Sequence, residues 1–230
     1  MEKKTALILS VIMYLSAILL VGYYFMADLD QTLVISPGGR VVVLLLGCLF
    51  MYTGGMLLSK NSDSKGRILK ATLFIWLVLY ILLLVELTLF DEKFHRNGFN
   101  IPHWNREVFR NYVNHSLNLV PFSTITYYIV NLINGNTPPY IFMYNILGNL
   151  VALTPFAFFL PLLFRKQGKF KNFAVTIPVI VICIELLQFI TLSGTCDVDD
   201  LILNSLGAYI MFGILRIKPV KTLVGKIFPI

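Results

Sequence analysis

Charge is scarce in this chain. Of its 230 residues, 13% are charged, about half of the ~25% usual in soluble domains. Cysteine is nearly absent: there are three, with neither the density of a disulfide scaffold nor the spacing of a zinc site. Cys48 and Cys183 fall inside apolar stretches and read as packing residues. Cys196 has no partner suggested by spacing. No Walker loop, HExxH or GxSxG occurs, which argues against an ATPase, a zincin and a serine hydrolase of the common type. His95, His103 and His115 are scattered along one loop and form no ligand pattern.

Apolar residues are abundant. They make up 57% of the chain, and the mean hydropathy is +0.77. This excludes a soluble globular enzyme and a disordered chain. It predicts an all-α, integral membrane helical bundle. Six continuous apolar stretches are visible, at 5–26, 41–58, 71–90, 140–164, 173–192 and 201–215. Each is continuous rather than alternating, so a β-barrel is disfavoured. Five approach the ~20 residues that a bilayer requires. The sixth is short, and reaches full length only by borrowing neighbours such as Ile217 or by local thinning of the bilayer. The first stretch follows Lys3 and Lys4 but is too long for a signal h-region, and Ala27-Asp28-Leu29 is a poor cleavage site. It is therefore expected to remain as a span.

The loops predict an orientation. With the N-terminus in the cytoplasm, 14 of the 19 basic residues fall on the cytoplasmic side. These are Lys3 and Lys4, then Lys60, Lys65, Arg67 and Lys70, then Arg165, Lys166, Lys169 and Lys171, then Arg216, Lys218, Lys221 and Lys226. Arg40, Lys93, Arg96, Arg106 and Arg110 fall outside. The positive-inside rule then holds at every loop, with both termini cytoplasmic. The net charge of +7 is an orientation signal with some attraction to anionic lipid, not a nucleic-acid signal.

The chain is expected to divide into a two-helix membrane region at 1–70, a membrane domain at 71–217 and a cytoplasmic tail at 218–230. Gly54 and Gly55 invite the close approach of another helix. Glu86 is an ionisable residue near the end of the third stretch and a weak functional candidate. The outer segment 91–139 is charged at first and then apolar and aromatic. Residues 122–133 read as a short amphipathic or re-entrant helix at the outer surface, or else as a loop cap. Pro155, Pro161 and Pro178 read as tolerated kinks, and Gly148 and Gly207 as close-packing positions.

The rare polar residues of the last three stretches converge. Asn145 and Asn149 stand at i and i+4, and Glu185 and Gln188 at i and i+3, so each pair shares one helix face. Asp197, Asp199 and Asp200 precede the sixth stretch, and Asn204 follows one turn later. With the predicted orientation all eight lie at one depth, in the outer half of the membrane. Polar groups in hydrocarbon usually face the bundle interior or a wet cavity. Two readings stay open: the amides are interhelical glue, or the set is a functional site. Four carboxylates together require shared protons, a cation such as Ca²⁺ or Mg²⁺, or a basic group. Any metal would be held by Glu185, Asp197, Asp199 and Asp200. No cofactor is required. Asp199 or Asp200 also suits a helix N-cap.

These residues carry a resemblance. Asn118-Leu119-Val120-Pro121-Phe122, then Asn145-Ile146-Leu147-Gly148-Asn149 with Thr154-Pro155-Phe156 and Leu160-Pro161, then Glu185-Leu186-Leu187-Gln188, then Asp197 through Asn204 to Ser205-Leu206-Gly207, resemble the VanZ-like family in order and spacing. The resemblance covers roughly 70–216 and adds Asn118 to the candidate site. It implies a bacterial cytoplasmic-membrane protein related to one associated with teicoplanin resistance. Many relatives carry an Arg shortly before the Asp motif, where this chain has Gly194-Thr195-Cys196, and another where it has Asn114-His115-Ser116. Anion binding by those arginines is lost here or passes to Arg106 or Arg110. Pro155-Phe156-Ala157 replaces a common Pro-Phe-Gly.

Three functions fit, in this order. The first is a protein of the outer membrane face that binds a lipid-linked cell-wall component, a membrane lipid or the lipoglycopeptide itself. The second is a metal- or carboxylate-dependent enzyme acting on a lipid-linked substrate. The third is a small proton-coupled transporter using Glu185, which lacks the support of any inverted repeat.

Overall fold

The computed structural model describes residues 3–29, 37–59, 65–90 and 104–228. Lys60, Lys93, His95, Arg96 and His103 lie outside the described residues. The chain forms two compact units, Met1–Trp76 with Gly225–Ile230 and Leu77–Val224.

The first unit holds α1 (Lys3–Leu29), α2 (Pro37–Ser59) and the start of α3 (Lys65–Val85). On α1 most of the buried positions are small, while larger side chains such as Leu69 and Leu73 are buried on α3. Ala6, Ser10 and Ala17 are buried, whereas Leu7, Val11, Leu15 and Ile18 are exposed. This reverses the arrangement of a soluble helix, because lipid solvates large apolar side chains and leaves small residues and hydrogen bonds to join helices. The Ser10 hydroxyl donates to the Gly54 carbonyl at 2.9 Å, and the hydroxyls of Tyr14 and Thr72 hydrogen-bond at 3.1 Å. A Cβ at Gly55 would stand 2.8 Å from Thr72 Oγ1, so the glycine pair does permit close approach.

The second unit contains the rest of α3, which ends in a π-helical turn at Glu86–Phe90. It continues with α4 (Arg106–Ser116), β1 (Leu117–Asn118) and α5 (Ser123–Ile133). The fourth apolar stretch is broken. It comprises α6 (Pro139–Phe142), a π-helical turn at Met143–Leu147, α7 (Gly148–Ala152), a turn, and α8 (Phe156–Leu163). Pro155 lies at the break, where the helical ladder stops and frees the Ala152 carbonyl; the Tyr80 hydroxyl donates to it. Then come α9 (Phe170–Thr191), β2 (Cys196–Asp197), α10 (Val198–Ile214) and α11 (Lys218–Ile227).

On α9, Phe173, Ile177, Val181 and Gln188 are buried at helical spacing. Val175, Val179, Ile182, Leu186 and Ile190 form the exposed stripe opposite. α9 stops at Leu192, which adopts a left-handed conformation with φ 52° and lets the chain turn back toward β2. β2 pairs in parallel with β1, matching Leu117 to Cys196 and Asn118 to Asp197. α10 packs on α7, α8 and α9. Gly207 makes this possible, because a methyl group there would overlap the Leu150 carbonyl. Gly148, read above as a similar position, has open space beside it.

Among the described residues, four helical segments are long and apolar enough to cross a membrane, within Lys4–Tyr24, Gly66–Leu89, Pro139–Leu163 and Phe170–Thr191. α10 and α11 make a fifth span only if this pair, bent by 84°, is counted as one. The protein is therefore an all-α, multi-pass membrane bundle with a two-residue strand pair. The expected sixth stretch gains length at its start, where α10 begins at Val198, but not at Ile217: α10 ends at Ile214, the chain bends, and α11 starts at Lys218 with Pro219 in its first turn, where proline is tolerated. The second stretch contributes the shorter apolar helix Leu46–Ser59.

Candidate functional site

The end of the second unit where α9 finishes and α10 begins is organised by carboxylates. Asp197 is the N-cap of α10 and accepts from the Asp199 amide at 2.8 Å. It also receives the Asn118 amide nitrogen at 3.1 Å and the Thr124 hydroxyl at 2.5 Å. Its own N–H donates to Glu185 Oε2 at 3.1 Å. One side chain and its amide thus join β1, α5, α9 and α10.

Asp199 reaches the other way. It is 0% exposed. Its two oxygens accept the backbone N–H groups of Phe122 at 2.5 Å and Ile125 at 3.0 Å. The first N–H groups of a helix have no partner within it, and α5 takes its cap from a residue on α10. Phe122 itself has φ 64°, a conformation that strains any residue other than glycine. The charge-assisted bond from its N–H holds it there.

Asp200, one position further and therefore about 100° around the helix, points elsewhere. Its carboxylate receives the Asn149 amide nitrogen, and its carbonyl receives that of Asn204 at 2.8 Å. Gln188 donates to the carbonyl of Thr88 at 3.0 Å, and Ser193 to that of Leu89 at 2.9 Å. Both acceptors belong to the terminal turn of α3, where carbonyls lack intrahelical donors. Asn145 donates to Ile141 of its own helix at 2.8 Å.

These contacts border a cavity of about 370 Å³. Asn145, Asn149, Asp197 and Asp200 line it, together with Thr88, Thr124 and Thr195. Tyr127, Tyr128 and Tyr144 add an aromatic wall, and Leu84, Leu87, Ile146 and Leu203 an apolar one. Both π-helical turns contribute lining residues, a placement common at functional sites. Among the described residues, no Lys, Arg or His is in the lining.

A family model described as VanZ/LLP1 matches residues 77–219. The chain belongs to the VanZ/LLP1 family. The matched region begins at the first residue of the second unit and contains every candidate site residue and the whole cavity. Protein VanZ of Enterococcus faecium is 30% identical over 145 residues, which is 63% of this chain and 72% of that protein. No solved structure matches.

Within the VanZ/LLP1 region the nine candidates play different parts. Asn145, Asn149, Asp197 and Asp200 face the cavity. Glu185, Gln188 and Asn204 border a smaller space beside it. Asn118 is one hydrogen bond behind Asp197, and Asp199 lines neither space. The four carboxylates are therefore not a single metal-ligand set. The oxygens of Asp199 are taken by backbone and those of Asp197 by its cap and its neighbours. Among the described residues, no group of three or more His, Cys, Asp and Glu side chains is placed to hold a metal ion. Glu86, Arg106, Arg110 and His115 line neither space. The threonines and tyrosines escaped sequence reasoning, since such residues are common at membrane interfaces. Only the Ser123-Thr124 pair after Phe122 hinted at a helix start.

The N–H groups held by Asp199 yield a first prediction. Asp199→Asn keeps the shape but removes the charge and offers an NH₂ where an acceptor is needed. It should lower stability by about 1.5–3 kcal/mol, the usual range for hydrogen bonds to a charged group. Denaturation of the detergent-solubilised protein measures this, and proteolysis within α5 should speed up in parallel. An unchanged melt would mean that α5 does not depend on Asp199.

Cys196 supplies a second. Burial, followed by the nearby carboxylates of Glu185, Asp197 and Asp200, pushes its thiol from 9.0 up to about 11. Only the thiolate is nucleophilic, so alkylation at pH 8 should run on the order of 100-fold slower than for an ordinary thiol. The rate should keep climbing past pH 10, and Glu185→Gln should move the profile down. Because the neutral thiol is favoured in the fold, stability is unaffected below pH 9 and declines from 9 to 11. A rate midpoint near 9 in the folded protein would contradict this environment.

Proposed function

We propose that this protein resides in the bacterial cytoplasmic membrane with six spans and both termini in the cytoplasm. Its large cavity binds the polar, hydroxyl- and amide-bearing headgroup of a lipid-linked envelope component, or the lipoglycopeptide itself. Through that binding it alters susceptibility to teicoplanin. The observation that carries this reading is the cavity of about 370 Å³, a size suited to a headgroup. Aspartate, asparagine and threonine side chains in its wall match hydroxyl and amide donors. The tyrosines offer flat faces to a sugar or an apolar stem. Among the described residues the lining holds the Asp197 and Asp200 carboxylates and no Lys, Arg or His. Membership of the VanZ/LLP1 family supports the link to the drug by analogy.

Orientation has its own test. Leu119 is 67% exposed at the cavity end of α9, and Lys169 is exposed at the other end. In a background lacking Cys48, Cys183 and Cys196, an impermeant maleimide on intact cells should label Leu119→Cys and should label Lys169→Cys only after permeabilisation. The opposite pattern would reverse the topology.

For the cavity itself, expression in a susceptible host should raise survival on teicoplanin more than on vancomycin. Asn145→Leu and Tyr144→Ala change the wall of the large cavity alone, so each should return survival to the vector level at unchanged membrane abundance. Equal protection against both drugs, or full protection by both variants, would overturn the reading.

A further inference from the structure

The carboxylates gather toward one end of α9 and α10. The other end is basic. From Phe164 to Ile230 the acidic residues are Glu185, Asp197, Asp199 and Asp200, all toward the end where α9 finishes and α10 begins. Arg165, Lys166, Lys169 and Lys171 stand where α9 starts, in and just after a 3₁₀ turn at Arg165–Gly168. Lys218 and Lys221 stand past the end of α10, on α11. All six are exposed, and all belong to the second unit. Arg216 ties the two groups together. Its Nη2 donates to the Gly168 carbonyl at 2.6 Å and its Nη1 to the Phe212 carbonyl at 3.2 Å. The guanidinium lies 3.2 Å over the Phe212 ring, a favourable cation–π placement. The basic turn is thus pinned beside the bend that leads into α11. Gathering like charges is unfavourable unless a counter-charge meets them.

α11 indicates where that counter-charge lies. Val220, Leu223, Val224 and Ile227 stand at i, i+3, i+4 and i+7 and share one face. Lys218, Lys221 and Lys226 fall on the opposite half of the helix. No residue of α11 is buried, and Leu223 is 57% exposed. A helix apolar on one side and basic on the other, with the apolar side uncovered by protein, has the form of one lying in a membrane interface. The bend gives it the direction to do so. α10 packs on α7, α8 and α9, and α11 leaves it at 84°. If α10 crosses the bilayer, α11 runs along its surface. The 17 residues of α10 are about 25 Å long, most of the ~30 Å hydrocarbon core.

We infer that α11 lies in the membrane–water interface with Val220, Leu223 and Val224 among the lipid chains, and that α11 and the 165–171 segment form a docking surface for anionic phospholipid headgroups. Six exposed cations beside a span attract such lipids, and their N–H groups donate charge-assisted hydrogen bonds to phosphate oxygens. With both termini in the cytoplasm, the leaflet so read is the cytoplasmic one. The inference rests on α10 as the last span of the topology proposed above. It does not rest on what the large cavity binds.

The test uses the full chain lacking Cys48, Cys183 and Cys196, with a bimane fluorophore on Leu223→Cys or Thr222→Cys. It is reconstituted without drug in phosphatidylcholine vesicles that carry a minor fraction of brominated phosphatidylglycerol or brominated phosphatidylcholine. Bromine placed high on the acyl chains should quench the label at Leu223, on the apolar face, and quench that at Thr222 less. Quenching at Leu223 should be about threefold greater from brominated phosphatidylglycerol than from brominated phosphatidylcholine at equal mole fraction. Replacing Lys166, Lys169, Lys218 and Lys221 by Gln should bring that ratio to unity while quenching by phosphatidylcholine persists. About 1 M salt should do the same in the unaltered chain, a check that needs no variant to fold. No quenching at Leu223 by either lipid would overturn the inference and give the apolar face to protein. Stronger quenching from bromine at the chain ends would overturn it by making α11 part of a span. Equal quenching by the two lipids in the unaltered chain would overturn the anionic preference. Symmetric vesicles make these readouts independent of sidedness, and drug protection is reported separately by Asn145→Leu and Tyr144→Ala.

Discussion

Two adjacent demands meet at the start of α10: an N-terminus that needs an acceptor, and a neighbouring α5 that needs one as well. Asp197 and Asp199 meet them in opposite directions. Asp197 caps its own helix and gathers Asn118 and Thr124. Asp199 caps α5 from a distance. Both carboxylates are buried, and both are satisfied by N–H and O–H donors instead of by cations. Helix termini supply backbone N–H donors without importing charge, and Asn118 and Thr124 add neutral side-chain donors. The cavity exists because this double cap holds α5 against the other helices while Asp200 remains turned toward the interior.

The broken fourth stretch complements that arrangement. A continuous helix would satisfy its backbone and present side chains at fixed intervals. The π-helical turn at Met143–Leu147 and the break before Phe156 give up that regularity. Irregular backbone at membrane depth is tolerated where it borders protein or a cavity, and here it does both: Tyr80 takes the freed Ala152 carbonyl, and Tyr144 and Asn145 line the open space. Gly207 contributes from the opposite wall by letting α10 touch the Leu150 carbonyl, which brings Asn149 within reach of Asp200.

Much of this was legible in the residues. Hydrocarbon demands long apolar runs, so most spans announce themselves. The same demand makes Asn145, Asn149, Glu185, Gln188 and the aspartates conspicuous. Their division of labour was not legible. Asp199 and Asp200 are neighbours in sequence, yet a 100° step on the helix sends one into a backbone cap and the other to a cavity. Gly148 and Gly207 look alike as letters, and only the path of α7 past α10 tells them apart. The bend between α10 and α11 lies at 215–217, at the edge of the apolar run, where no breaker residue marks it. Thr88 contributes through a carbonyl, which any residue possesses and no pattern reveals.

Tyr127 and Tyr144 are at once exposed on the surface of the bundle and part of the cavity wall. On a protein solvated by lipid, that surface is searched by diffusion within a leaflet. A molecule anchored by an acyl chain meets it at a local density set by its mole fraction among lipids, far above its molarity in the whole suspension. Weak contacts then suffice for high occupancy. On the proposed reading, the exposed tyrosine wall makes residence in the bilayer, alongside strength of binding, a property by which one molecule is preferred over another.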